Sequence, residues 1–183
     1  SEIELSASDR INVKARKKRS MLFSAARGYL FNQVLSERIQ QKNWNQFVPG
    51  DVLNLAGTNR YFLVDNGCWD DKLQRRLDSF DIHISGPLAG VQDPREKYIS
   101  NDMAARLEEA VLVKFQNLLC GLISFGLKTN RRPLRFVPEN LKWNWLTPEE
   151  LKLEFTLPRG AYATSLLREL CKISSFGNTG IEL

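Results

Sequence analysis

Six positive charges crowd into ten residues near the start of this 183-residue chain. They are Arg10, Lys14, Arg16, Lys17, Lys18 and Arg19, with only Asp9 close by. Such a cluster attracts phosphate, because each neutralised phosphate releases condensed counterions. A solvated arm ahead of a helix has the same composition, and both readings stand at this point. A second basic group, Arg131, Arg132 and Arg135, opens a later extended stretch. Contacts from these residues to phosphate would position a nucleic acid without reading its sequence. His83 is the only histidine, which excludes most histidine-based metal and triad chemistry. Within the strand-like run Asp81–Ser85 it reads as structural. Cys68, Cys120 and Cys171 are far apart and form no Cys-x-x-Cys pair, which fits free thiols in a reducing compartment. The acidic pairs Glu108-Glu109 and Glu149-Glu150 read as solvated faces or helix starts and lack metal-ligand spacing, and there is no Gly-rich phosphate loop. No cofactor or metal is expected.

The elements that must position these residues follow from periodicity. The stretch up to about Arg19 is polar and is expected to be extended or partly mobile. Ser20 is placed as an N-cap for a helix to Gln40, with Leu22, Ala26, Tyr29, Leu30, Gln33 and Val34 near one stripe. Pro49-Gly50-Asp51 breaks the chain, and Val52–Ala56 and Arg60–Val64 read as a hairpin around Gly57-Thr58-Asn59. Asp70 or Asp71 starts a helix to about Phe80. Asp81–Ser85 is strand-like and Gly86–Gly90 is a loop. A long helix is expected from about Glu96, fading at Gly121 and Gly126, before the extended Arg131-Arg132-Pro133.

The last quarter is the most legible. Leu151, Leu153, Phe155 and Leu157 alternate with Lys152, Glu154 and Thr156, the period of two of a strand with one buried face. Pro158-Arg159-Gly160 ends it, and a helix is expected from Tyr162 to Ile173 with Leu166, Leu167, Leu170 and Ile173 on its apolar side. Trp143 and Trp145 share one face of a strand and read as core aromatics. The class is α/β or α+β: an insertion-like α/β body followed by a strand–helix unit. Apolar residues at 43% suffice for a packed core, and no run reaches the roughly 18 residues of a membrane span. The formal charge is +5 and the pI about 9.2. The chain opens on Ser1, with no signal-like stretch, and reads as starting inside a longer polypeptide; processing would look the same.

Three stretches resemble the TruD family of tRNA pseudouridine synthases in order and spacing. Arg19–Asn32, R-S-M-L-F-S-A-A-R-G-Y-L-F-N, is similar to the family's R-S-x-x-x-S-A-A-R-S-x-L-F-N helix. Val48–Leu55, V-P-G-D-V-L-N-L, is the second. Leu141–Leu170 is the third, with L-K-W-N-W and then L-P-R-G-A-Y-A-T-S-L-L-R-E-L, close to L-P-x-G-S-[FY]-A-T-S-x-x-R-E-L. The loop Ile84–Gly90, I-S-G-P-L-A-G, adds weaker support. Ala161 departs from the family's usual Ser. The family's Gly-x-Lys-Asp stretch, which supplies its reactive aspartate, is absent, as is its Arg-Phe-Gly segment. No Lys-Asp pair occurs anywhere in the chain.

The resemblance implies residues 1–130 as the TruD insertion domain, with 1–19 its basic arm. It implies 131–183 as the C-terminal part of the catalytic domain. The implied activity is isomerisation of a tRNA uridine, position 13 in the D arm, to pseudouridine in the cytoplasm. No cofactor is implied. The implied partners are tRNA and the missing N-terminal half, with no membrane; the alternative is a non-catalytic RNA-binding module. No catalytic residue is expected in this chain. Gly160, Tyr162, Thr164 and Arg168 would wall the uracil pocket, with Tyr162 offering a stacking face. Lys14, Arg16, Lys17, Lys18, Arg19, Arg131 and Arg132 would contact RNA.

Overall fold

The computed structural model describes residues 7–64, 67–93, 98–158 and 160–172, with side chains from Arg16 onward. The chain divides into two compact units, Ser1–Leu134 and Arg135–Leu183.

The first unit is built on a long helix, α1 (Ala7–Gln40). The stretch expected to be extended is therefore helical, and Ser20 lies in a helix interior, not at an N-cap. Between Ala7 and Arg27 the sequence has no Pro or Gly and is rich in Arg, Lys and Ala, all good helix formers. Polarity without an apolar stripe hides a segment whose backbone preference is helical. Gly28 is the one glycine inside α1, and a Cβ added there would meet nothing within 4 Å. Glycine in a helix interior costs about 1 kcal/mol relative to alanine. Gly28→Ala is accordingly expected to raise the urea midpoint by the equivalent of ~0.5–1 kcal/mol, with the m-value unchanged.

After α1 come β1 (Val52–Leu55), β2 (Tyr61–Leu63), α2 (Asp71–Asp78) and β3 (Ile82–Leu88). They are followed by α3 (Asp102–Leu112), α4 (Gln116–Ser124) and β4 (Asn130–Pro133). The expected hairpin is present, with Val52 opposite Leu63. Asp70 caps α2 by accepting from the Leu73 N–H at 2.8 Å. The sheet is antiparallel throughout, in the order β2-β1-β3-β4.

Two boundaries differ from expectation. Gly86 and Pro87 do not start a loop; β3 runs through them and pairs with β4, Gly86 opposite Arg132 and Pro87 opposite Arg131. A Cβ on residue 86 would come within 2.8 Å of Leu134 and 3.0 Å of the Phe31 ring. Glycine here serves close packing within a strand. The long helix expected from Glu96 is two helices separated by a 3₁₀ turn at Val113–Phe115; residue 96 itself lies outside the described residues.

The core gathers Phe31 of α1, Leu53 of β1, Ile82 and Ile84 of β3, Leu77 of α2 and Leu134. A second cluster joins Leu30, Ala89 and Leu122. Adjacent α1 residues, Leu30 and Phe31, thus feed both clusters, which fixes the rotation of α1 about its axis. The Pro49-Gly50-Asp51 break is tightly built: Gly50 has φ +89°, and a Cβ there would overlap the Asn101 carbonyl.

The second unit contains β5 (Glu139–Thr147), β6 (Glu150–Thr156) and α5 (Ala163–Leu170). Strands β5 and β6 form an antiparallel hairpin in which Trp143 faces Leu153 and Trp145 faces Leu151. Along β6 the exposure alternates with the expected period of two. Trp143 and Trp145 share a face but are not core residues: they are 68% and 53% exposed. A two-stranded hairpin cannot by itself enclose side chains of that size. Helix α5 ends at Leu170, and Ile173 lies outside the described residues. Both units mix helices with antiparallel strands, the α+β form of the expected mixed class.

Candidate nucleic-acid interface and pocket wall

Helix α1 turns one face toward an open cleft of about 510 Å³. Arg16, Arg19, Ser20, Phe23, Ser24, Arg27 and Gly28 line it from the helix, and Leu88, Leu127 and Arg132 complete it. Arg16, Ser20, Phe23 and Arg27 lie within one narrow stripe at helical spacing. Lys18 falls on the opposite side of that helix, and neither Lys17 nor Lys18 lines the cleft. The cleft brings together four guanidinium groups, two hydroxyls and no carboxylate.

Two arginines are set by the fold. The Arg132 guanidinium lies 3.8 Å from the centroid of the Phe31 ring, a cation–π contact on a ring that is itself locked in the core. Arg27 Nη2 donates to the carbonyl oxygens of Leu88 (3.0 Å) and Lys128 (2.9 Å). This ties α1 to the end of β3 and to the segment entering β4. Arg27 Nε has no partner among the described residues. Desolvation lowers the Arg27 pKa below the usual arginine value.

Arg131 is not part of this surface. It is 8% exposed, and its guanidinium is committed to Glu108 Oε1 (2.6 Å), the Ser85 hydroxyl (2.8 Å) and the Ser85 carbonyl (2.8 Å). Adjacent residues of a strand point to opposite faces, so Arg131 and Arg132 cannot both face the cleft. The expectation that Arg131 contacts RNA is thereby corrected: it is an interior residue holding β3, β4 and α3 together. Lys14 lies on α1, but its side chain is outside the described residues. Arg16, Lys17, Lys18 and Arg19 are all exposed.

Sequence reasoning missed Arg27, Phe23 and Ser24. The signal was present as the spacing Arg16, Ser20, Phe23, Arg27, but starting the helix at Ser20 cut that stripe in two.

In the second unit, Gly160 has φ +90°, a backbone conformation that favours glycine. The Ala161 N–H donates to the Pro158 carbonyl (3.1 Å), closing the turn. Tyr162 follows in extended conformation as the N-cap residue of α5 and is 71% exposed. Thr164 and Arg168, one helical turn apart, are also exposed. The turn therefore presents an aromatic face, a hydroxyl and a guanidinium within one strand–helix junction. Among the described residues no group of His, Cys, Asp or Glu is arranged to hold a metal.

Fold and site together define a mixed α/β protein with an open cleft lined by four arginines. The sequence profile of TruD, tRNA pseudouridine synthase D, matches residues 7–170. The chain is 44% identical over 165 residues to tRNA pseudouridine synthase D of Xanthomonas euvesicatoria, spanning 89% of this chain and 43% of that protein. It is 38% identical over 158 residues to the Hydrogenovibrio crunogenus protein of the same name, covering 86% of this chain and 44% of that one. A crystal structure from Methanosarcina mazei assigned to tRNA pseudouridine synthase D shares the fold: TM-score 0.54, 24% identity, 78% of this chain and 36% of that one. This chain belongs to the TruD family. It spans a little under half the length of the relatives it matches.

Proposed function

We propose that the protein acts in converting a uridine of tRNA, at position 13 of the D arm, to pseudouridine. In this reading it supplies the insertion domain, residues 1–130, and the closing strand–helix part of the catalytic domain, 131–183. The observation that carries the reading is the family match across residues 7–170, which ends on the Pro158–Leu170 turn and helix. The reaction breaks the bond between ribose and N1 of uracil and rejoins the base through C5, releasing the C5 hydrogen. It requires a carboxylate as nucleophile or base and a face to hold the freed ring. Tyr162 supplies that face, on the turn set by Gly160. Thr164 and Arg168 stand behind it along α5, and the RNA backbone is held by Arg16, Lys17, Lys18 and Arg19.

The carboxylate belongs to the family's Gly-x-Lys-Asp stretch, which this sequence lacks. The remaining half of a family-length chain is accordingly the second partner. Trp143, Trp145, Leu151 and Leu153 offer it one apolar face, and a two-stranded hairpin is marginal without such cover. The protein is assigned to the cytoplasm with its tRNA substrate; among the described residues no helix is long and apolar enough to cross a membrane.

Tritium release from tRNA carrying 5-tritiated uridine tests the reading. The 183-residue chain alone is expected to release none above buffer, whereas a family-length chain containing it releases label. Silence from the longer chain would overturn the assignment. Turnover by the shorter one would show that the carboxylate lies within it. In the longer chain Tyr162→Ala is expected to lower kcat/KM by about 5- to 150-fold, matching the ~1–3 kcal/mol of base stacking.

A second reading, a non-catalytic RNA-binding module, is favoured by one observation: the arginine cleft lies wholly within the first unit. Binding of tRNA without tritium release by the longer chain would favour it.

A further inference from the structure

We propose that strand β6 is a self-complementary edge, through which two copies of this chain pair β6 to β6, antiparallel about a two-fold axis at Leu153. The partner is a second copy of the same chain, joined into one sheet in the order β5-β6-β6-β5. This pairing lies beyond the functional reading and does not depend on it, since neither RNA nor turnover enters.

One side of β6 is open. Among the described residues β6 pairs with β5 alone, so its other side offers a row of backbone groups to a further strand. From Glu150 to Thr156 it contains no proline, no glycine and no extra residue against β5. The other edge of the hairpin is blunted. Between the pairs Glu139–Thr156 and Lys142–Glu154, β5 advances three residues against two, and between Trp145–Leu151 and Thr147–Glu150 two against one. Both extra residues lie on β5, where Asn140 also has φ +53°. Bulges of this kind twist an edge away from further pairing. One open edge and one blunted edge give a closed two-fold pair and not a fibre.

Read outward from Leu153, β6 is complementary to itself in charge. An antiparallel pair centred there sets Lys152 opposite the partner's Glu154 and Glu154 opposite the partner's Lys152. Leu151 meets the partner's Phe155 on the other face. Within one chain Lys152 Nζ already lies 2.6 Å from Glu154 Oε1, and both side chains are more than half exposed. Pairing closes them into a ring of four alternating charges. Opposite charges facing across strands stabilise a pair, and like charges oppose it. Other registers fail on these residues. Centring on Lys152 sets lysine against lysine, and centring on Glu154 sets glutamate against glutamate. Centring on Leu151 matches Glu150 with Lys152 but overlaps only three residues of the strand. A centre between residues sets charged side chains against the apolar row. Leu153 alone pairs the whole strand with opposite charges opposed.

The opposite face of the hairpin gains from the same contact. Leu151, Leu153 and Phe155 alternate with the charged residues, and Trp145 and Trp143 stand opposite Leu151 and Leu153 on β5. A two-stranded hairpin is marginal in water, and further strands beside it remove that weakness. The contact is short, so the dimer is expected to be weak and reversible.

Sedimentation equilibrium of the 183-residue chain from ~5 to ~500 µM tests the pairing. A reversible passage from the 21.0 kDa monomer to a dimer is expected, with a Kd on the order of 10–100 µM. Lys152→Glu and Glu154→Lys each set like charges opposite one another at both symmetry-related positions, and each alone is expected to weaken the dimer at least ~5-fold. Mixed one to one, the two variants are complementary again, and the dimer is expected to return to within ~3-fold of wild type. The double exchange, Lys152→Glu with Glu154→Lys, restores self-complementarity and is expected to dimerise as wild type does. Both side chains are exposed, so the hairpin tolerates the changes. Amide exchange in β6 is expected to slow with rising concentration while that of β1 and β3 does not. A wild-type chain that stays monomeric throughout would overturn the pairing and leave the edge to the remaining half of a family-length chain. A dimer indifferent to every exchange would overturn it in favour of contact through the tryptophan face. A mixture no tighter than its components would reject the register, and with it the proposal.

Discussion

Glu108→Ala is expected to destabilise the first unit by about 3–5 kcal/mol, the usual consequence of removing one partner from a buried ion pair. Glu108 on α3 is 6% exposed and Arg131 on β4 is 8% exposed. Both carboxylate oxygens are engaged: Oε1 accepts from Arg131 Nη2 at 2.6 Å and Oε2 from Arg131 Nη1 at 3.3 Å and the Ser100 hydroxyl at 2.6 Å. Arg131 Nε donates to the Ser85 hydroxyl, which itself donates to the Val52 carbonyl at 2.6 Å. One charge pair therefore ties α3 to β4, β3 and β1. Removing the carboxylate strands a guanidinium in a site with two neutral acceptors and little water, and that uncompensated charge dominates the cost.

Domains of this size hold only about 5–15 kcal/mol in total, so the loss is a large share. Glu108→Gln keeps an acceptor and is expected to cost less. Glu108→Leu with Arg131→Met, which removes both charges, is expected to recover most of the loss. Amide hydrogen exchange of β1 and β3 reads the first unit by itself. Protection in Glu108→Ala indistinguishable from wild type would show that the pair contributes nothing.

The same pair shows where the sequence was legible and where it was not. Elements with a strict period or a local cap were readable: the β1–β2 hairpin, α2 behind Asp70, and β6 from its alternating leucines. Their information is local, in turn chemistry and side-chain alternation. What failed depended on contacts between distant segments. Arg131 has the composition of a surface residue, and only Glu108, 23 residues earlier, makes it an interior one. Gly86-Pro87 has the composition of a turn, yet Phe31 and Leu134 pack where a side chain at 86 would stand. The start of α1 was lost for the opposite reason. Its helix preference is local, but a polar, charged stretch carries no apolar stripe by which periodicity could mark it as a helix. That error also concealed the cleft, because Arg16 and Arg27 join one face only if the helix between them is unbroken. The glycine turn before Tyr162 was readable, whereas the exposure of Trp143 and Trp145 was not, since two tryptophans in a strand ordinarily signal a core.

A second buried pair makes an equally large prediction with an added pH signature. Asp51 is fully buried at the head of β1 and meets Arg38 of α1, itself 1% exposed, at 2.5 Å. Its other oxygen accepts from the Val48 N–H at 2.8 Å, closing the Pro49-Gly50 turn. Asp51→Ala is expected to cost about 3–5 kcal/mol, because it strands the Arg38 charge and opens the turn together. Asp51→Asn retains an oxygen for one of these donors and is expected to cost less.

The pair is not a simple attraction. Burial pushes the Asp51 carboxyl above its ordinary value of 3.8; the Arg38 charge and the Val48 and Arg38 hydrogen bonds pull it back, and the Glu108 charge pushes it further up. A carboxyl whose folded value exceeds its unfolded one binds its proton more readily in the fold. Its stabilising contribution is therefore complete below the unfolded value and is lost as pH rises through the folded one. Wild type minus Asp51→Asn cancels the titration of carboxylates that do not interact with Asp51. The difference in unfolding free energy between the two is expected to fall as pH rises from about 4 through the raised value, then level off. A difference that grows with pH would mean that Arg38 holds the charged form more strongly than burial opposes it. The joint between α1 and β1 would then owe its strength to the ion pair, not to the hydrogen bonds of the turn.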